Sequence, residues 1–186
     1  MDVRRIWLCW LVFCGSAFSI EKLNWLNQHY LKNSAVGNLK QQLIPLLEAQ
    51  GTDFSVGADL SDVIPEYVER CKTLAEMAEK IKYRYQDEVE YDETAVKKHL
   101  KDKARAPLQK AVELFQQIQN WQKETIHQAI EQLCEVLEIK MGKVAQPIRV
   151  AVTGSTMSPS IDITLSWLGK DKVINRLKQA IELIPS

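Results

Sequence analysis

The 186 residues carry no surplus charge: 24 Lys and Arg are matched by 24 Asp and Glu, so the formal net charge is zero. A protein that holds nucleic acid by itself usually presents a basic field. The composition therefore argues against an autonomous, high-affinity RNA binder. It argues less against a recognition module, since phosphate contacts dominate affinity and can lie elsewhere on a larger assembly. Glycine is scarce, with 7 residues, and no Gly-rich phosphate loop follows a strand. The four cysteines, Cys9, Cys14, Cys71 and Cys134, form no C-x-x-C pair and have no histidine at zinc-ligand spacing. Neither a metal site nor a disulfide framework is expected. Cys71 and Cys134 fall within helical patterns and read as buried thiols. No Ser/His/Asp arrangement or pair of acids stands at a recognisable catalytic spacing. Strand alternation is missing except at Ile148–Val152, which is too short to force a sheet.

What is present is helical periodicity in a chain long enough to bury a core. Residues 1–14 stand apart. Arg4 and Arg5 precede the apolar run Ile6–Phe13, a secretory-like pattern too short to span a bilayer. Phe13 and Phe18 occupy places where a cleavage site wants small residues, so unrelated sequence joined out of frame is the preferred reading. A working signal over residues 1–19 on an exported helical adaptor is the alternative. Ser19 is placed to cap a helix whose stripe is Leu23, Leu26, Tyr30 and Leu31. Trp25 borders the stripe and reads as core, and His29 as structural. A second helix over Leu39–Gln50 must accommodate Pro45 and stops at Gly51. Tyr67, Val68, Cys71, Leu74, Met77 and Ile81 continue helical spacing through Tyr83. Beyond the polar-aromatic stretch Tyr83–Tyr91 come a helix over Thr94–Ala104, one starting at Pro107 and an amphipathic one over Glu124–Ile139. Two more, separated at Gly169, lie within Ile161–Leu183. The expected architecture is all-α, a two-part helical bundle with a first subdomain over 15–91 and a second over 92–186.

The most informative stretch is Gly142–Pro159, GKVAQPIRVAVTGSTMSP. Gly142 reads as the stop of the preceding helix, and Lys143–Val152 as a short helix broken by Pro147. Arg149 sits where an apolar face (Val144, Ile148, Val150, Val152) meets the polar loop Thr153–Ser158. Gly154 permits a positive φ in that loop. The stretch continues through Ile161–Gly169 (IDITLSWLG) and Lys170–Leu177 (KDKVINRL). With Ser16–Lys32 (SAFSIEKLNWLNQHYLK) and Lys72–Lys80 (KTLAEMAEK), it resembles, in order from about Gly15 to Glu182, the C-terminal anticodon-binding region of bacterial glutamyl-tRNA synthetases.

That resemblance implies a helical cage around a tRNA anticodon, in the cytoplasm, with glutamate-type tRNA as partner. Arg149 matches the family's base-reading arginine, and Ser158 and Pro159 match the loop pair that contacts a neighbouring base. Arg70, Lys143 and Arg176 are further candidates for tRNA contact. An acidic Glu131 beside Gln132 argues against a base contact from the preceding helix. The family's catalytic half resembles a Rossmann-type nucleotide-binding fold with HIGH-like and KMSKS-like motifs. This chain has neither motif, so catalysis by it alone is not expected. The ATP and Mg of such enzymes would not bind here, no cofactor is implied for this part, and a separate catalytic domain is implied as a partner.

Overall fold

The computed structural model describes residues 19–51 and 59–184, and among them no strand occurs. Ten α-helices follow one another: α1 Ile20–Asn33, α2 Val36–Ala49, α3 Leu60–Val68, α4 Leu74–Ile81, α5 Glu93–His99, α6 Asp102–Gln117, α7 Lys123–Leu137, α8 Met141–Thr153, α9 Ile161–Leu168 and α10 Lys170–Leu183. A single 3₁₀ turn, Lys82–Arg84, leads out of α4. The signal-like reading of residues 1–14 lies outside the described residues.

Local chemistry sets most boundaries. Ser19 accepts from the Lys22 N–H, and Asp92 from those of Thr94 and Ala95, satisfying first-turn donors. Thr73 forms a reciprocal cap on α4: its Oγ1 accepts from Glu76 N at 3.1 Å, while the Glu76 carboxylate accepts from Lys72 N at 2.7 Å. Gly51 (φ 68°) and Gly169 (φ 80°) take backbone shapes that disfavour a Cβ, and each ends a helix. Several expected boundaries move. The helix expected from Leu39 begins at Val36, and the one expected over Thr94–Ala104 ends at His99. The left-handed cap of α7 is Glu138 (φ 52°), and Gly142 lies in the first turn of α8 instead of stopping α7. Pro147 does not break α8, which runs unbroken from Met141 to Thr153. Pro107 lies inside α6, whose start is Asp102. A proline interior to a helix removes one donor without preventing the turns around it.

The buried apolar side chains gather into two clusters. One joins α1 to α4 through Leu31, Leu43, Leu47, Ile64, Tyr67 and Ile81. The other joins α5 to α10 around Leu108, Phe115, Ile130, Ile148, Leu165 and Leu177. Cys71 is buried just past α3, whereas Cys134 on α7 is half-buried. Trp167 on α9 packs against the first cluster, and Arg84 stacks on its ring at 4.3 Å. The stripe of α1 is not core. Leu31 is buried, but Leu23, Leu26 and Tyr30 are exposed, and Trp25 is 66% exposed and stacks on His29. Amphipathicity is a property of the helix, whereas burial needs a neighbour to cover the stripe, and among the described residues α1 packs mainly on α3.

Candidate functional site

The C-terminal end of α8 carries the site. Gly154 closes the helix at φ 74° and its N–H bonds Val150 O at 2.9 Å. A Cβ built there would lie 1.9 Å from the Glu90 carbonyl oxygen, so the connector between α4 and α5 passes directly against this glycine. Asp92 N donates to Gly154 O at 2.9 Å and locks that approach. Thr153 Oγ1 donates to Arg149 O at 2.8 Å and accepts from Ser155 N at 3.2 Å, turning the chain out of the helix. The loop then descends to a buried corner, Ser158–Pro159, that leads into α9.

Arg149 reaches across to this corner. Its Nη2 donates to the Pro159 carbonyl at 3.2 Å, while its Nε is buried and has no acceptor among the described residues. An unfilled buried donor costs roughly 1–3 kcal/mol, so such groups call for a reason. Burial pulls the guanidinium pKa below its ordinary value, although arginine remains a cation. Neither acid that could have neutralised it does so: Glu138 caps α7, and the Asp162 carboxylate faces His127 at 3.8 Å.

Beside Arg149 opens a small cavity of about 170 Å³, lined by Tyr67, Arg70, Lys80, Arg149, Thr156, Met157 and Ser158. It is smaller than the roughly 300 Å³ at which cavities begin to hold whole drug-sized ligands. It suits one planar group of a larger molecule. Three cations line it and, among the described residues, no carboxylate does. Lys80 is partly neutralised by Glu76 at 2.7 Å and also donates to Arg70 O at 2.9 Å. Arg70 is exposed, with Nη1 on Glu66 O at 2.8 Å. A net positive charge is therefore concentrated here in a chain whose total is zero.

The structure brings Arg149, Ser158, Pro159 and Arg70 together. Lys143 is exposed in the first turn of α8, away from this cavity. Arg176 cannot serve as a nucleic-acid contact. It is 1% exposed, and its guanidinium donates to Val152 O at 2.6 Å, Tyr83 O at 2.7 Å and Gln86 O at 2.6 Å. It ties the end of α8 and the connector to α10. The missed signal was its register: Val173, Arg176, Leu177 and Ala180 share one helical stripe. Sequence reasoning also missed Tyr67 and Lys80 as cavity walls. Both lie on helices read as core or surface, and only tertiary packing points them at Arg149.

Residues 35–181 match the family described as an anticodon binding domain. Glutamate–tRNA ligases of Legionella pneumophila strains Corby, Lens and Paris are each 44% identical over 169 residues, covering 91% of this chain and 36% of the relative. The chain thus spans about a third of the length of these curated relatives. Among solved structures, a glutamate tRNA ligase from Elizabethkingia meningosepticum in complex with its amino acid superposes with a TM-score of 0.76 at 24% identity, over 90% of this chain and 33% of that one. The glutamate-tRNA synthetase of Elizabethkingia anophelis gives 0.73 at 26% identity, over 89% and 32%. No helix among the described residues is long and apolar enough to cross a membrane. The match over most of the chain gives one assignment, and the helical fold agrees with it: this chain belongs to the anticodon binding domain family.

Proposed function

We propose that this domain recognises the anticodon of a glutamate-type tRNA, in the cytoplasm, by gripping an unstacked base beside the Ser158–Pro159 corner. Sequence-specific RNA recognition favours splayed bases read along their edges, and arginine offers a planar donor fork to base acceptors. Arg149 is the base-reading group. Ser158 and Pro159 seat a neighbouring base through their backbone, since the Ser158 hydroxyl already donates to Pro159 O at 3.1 Å. Arg70 adds a contact at the rim, and Lys143 meets phosphate from the exposed start of α8. The catalytic step, with its ATP and Mg, belongs to the portion of the relatives that this chain does not match, and a catalytic domain is its functional partner.

One observation carries this reading: a half-buried guanidinium lines a cavity that holds two further cations and, among the described residues, no acid. The test compares binding of the full chain to a glutamate tRNA transcript and to the same transcript with an altered anticodon. Arg149→Ala should remove about 1–3 kcal/mol of preference, the value of one good bidentate base contact. Equal loss of affinity for both transcripts would refute the assigned role.

A further inference from the structure

Behind the Ser158–Pro159 corner lie buried hydroxyls from separate places in the chain. Tyr67 on α3 and Tyr83 in the 3₁₀ turn place their hydroxyl oxygens 3.3 Å apart. Nearer the corner, Thr164 lies on α9. Thr164 Oγ1 lies 3.1 Å from Ser158 Oγ, which lies 3.1 Å from the Pro159 carbonyl. Thr164 is wholly buried, and the other three hydroxyl residues are also buried.

These contacts end on an acceptor: a carbonyl only accepts, and the Ser158 hydroxyl at 3.1 Å and the Thr164 hydroxyl at 3.4 Å both lie where they can donate to Pro159 O. Hydrogen bonds linked in this way inside a protein polarise one another. Burial raises the pKa of both tyrosines, which keeps the phenols protonated. The second lone pair of Pro159 O receives Arg149 Nη2 at 3.2 Å. Relay and cation therefore meet on one atom. Thr164 occupies a core stripe with Ile161, Leu165 and Leu168, where valine would pack as well. Its hydroxyl needs another explanation.

We propose that Thr164 is a positioning residue for recognition: directly and through Ser158 it holds the Pro159 carbonyl where it aims the Arg149 fork into the cavity. The proposal rests on the assignment of Arg149 as the base reader. It predicts an effect on selectivity without an effect on phosphate contacts, because Thr164 does not reach the surface.

The experiment uses the full chain and the two tRNA transcripts, differing only in anticodon, and measures the ratio of dissociation constants, its salt dependence and the thermal midpoint. Thr164→Val removes the hydroxyl at nearly constant shape and should lower the ratio about tenfold, within the range that one misaligned bidentate contact can lose. The slope of affinity against salt should not change, since it counts phosphate contacts. Thr164→Ser restores the hydroxyl and should restore the ratio. Ser158→Ala removes the hydroxyl between Thr164 and Pro159 O; it should lower the ratio in the same direction, and it serves if Thr164→Val fails to fold. The Arg149 Nε–H proton resonance should move in Thr164→Val and return in Thr164→Ser.

A folded Thr164→Val or Ser158→Ala with an unchanged ratio overturns the relay, as does a Thr164→Ser variant as defective as the valine. Arg149→Ala separates the two ideas. If it abolishes the ratio while the hydroxyl variants leave it intact, the relay alone is wrong. If Arg149→Ala itself leaves the ratio intact, the base-reading assignment is wrong and the relay falls with it.

Discussion

Replacing Gly154 with alanine should be among the most damaging single-methyl additions in the molecule. Two independent penalties meet there. At φ 74°, an L-residue in the left-handed region costs roughly 1–2 kcal/mol. The added Cβ would also lie 1.9 Å from Glu90 O, 2.8 Å from Glu90 C and 3.1 Å from Val89 Cγ1. The first two atoms are backbone and cannot rotate away. The connector must retreat, which stretches the Asp92 N to Gly154 O bond of 2.9 Å, a loss of about 1 kcal/mol. Asp92 also caps α5 through Thr94 N and Ala95 N, and a disturbed cap costs about 0.5–2 kcal/mol. Together these give about 3–5 kcal/mol, a large share of the 5–15 kcal/mol typical of a domain. Urea unfolding followed by far-ultraviolet circular dichroism measures it. Gly51→Ala is the control, because Gly51 has φ 68° but, among the described residues, nothing within 4 Å of a Cβ, so it should lose only the roughly 1–2 kcal/mol conformational part. If Gly154→Ala costs no more than Gly51→Ala, the tight approach of the connector to α8 is wrong.

Other outcomes follow from the same geometry. Arg176→Met keeps the volume but strands three carbonyls, each bonded at 2.7 Å or less; it should destabilise by at least about 3 kcal/mol in thermal unfolding, and surviving folded protein should keep its anticodon preference. The Lys40 ammonium at 2.6 Å and the Ser61 N–H hold the Asp59 carboxyl down from 3.8 to about 2. A depressed folded pKa stabilises above the unfolded value, so this contribution should be present above about pH 4 and lost as pH falls toward 2. Asp59→Asn should flatten that part of an acid-unfolding curve, and added salt should reduce it because the pair is solvent-facing. Arg149→Lys retains the charge and loses the planar fork; the tRNA salt slope should persist while the preference between anticodons falls about as far as in Arg149→Ala.

The sequence by itself determined the helical class, most caps and the placement of Arg149 one loop away from Ser158–Pro159. These depend on periodicity, on short side chains able to hydrogen-bond the backbone nearby, and on glycine's freedom at Gly154, all of which act within about a dozen residues. Ser19 as a cap and Gly169 as a divider were legible for that reason. Tertiary structure alone decided which faces are covered and which cations are free. Arg176 and Thr164 each share a stripe with buried aliphatic residues, yet composition cannot say that three carbonyls and a buried hydroxyl wait there to receive them. Conversely, α1 carries an apolar stripe that the described residues cover only at Leu31, leaving Trp25 outside. A polar side chain in a core register is tolerable only when distant backbone or side-chain groups satisfy it. Those partners come from helices far away in the chain, so local pattern can mark the position but cannot supply the partner.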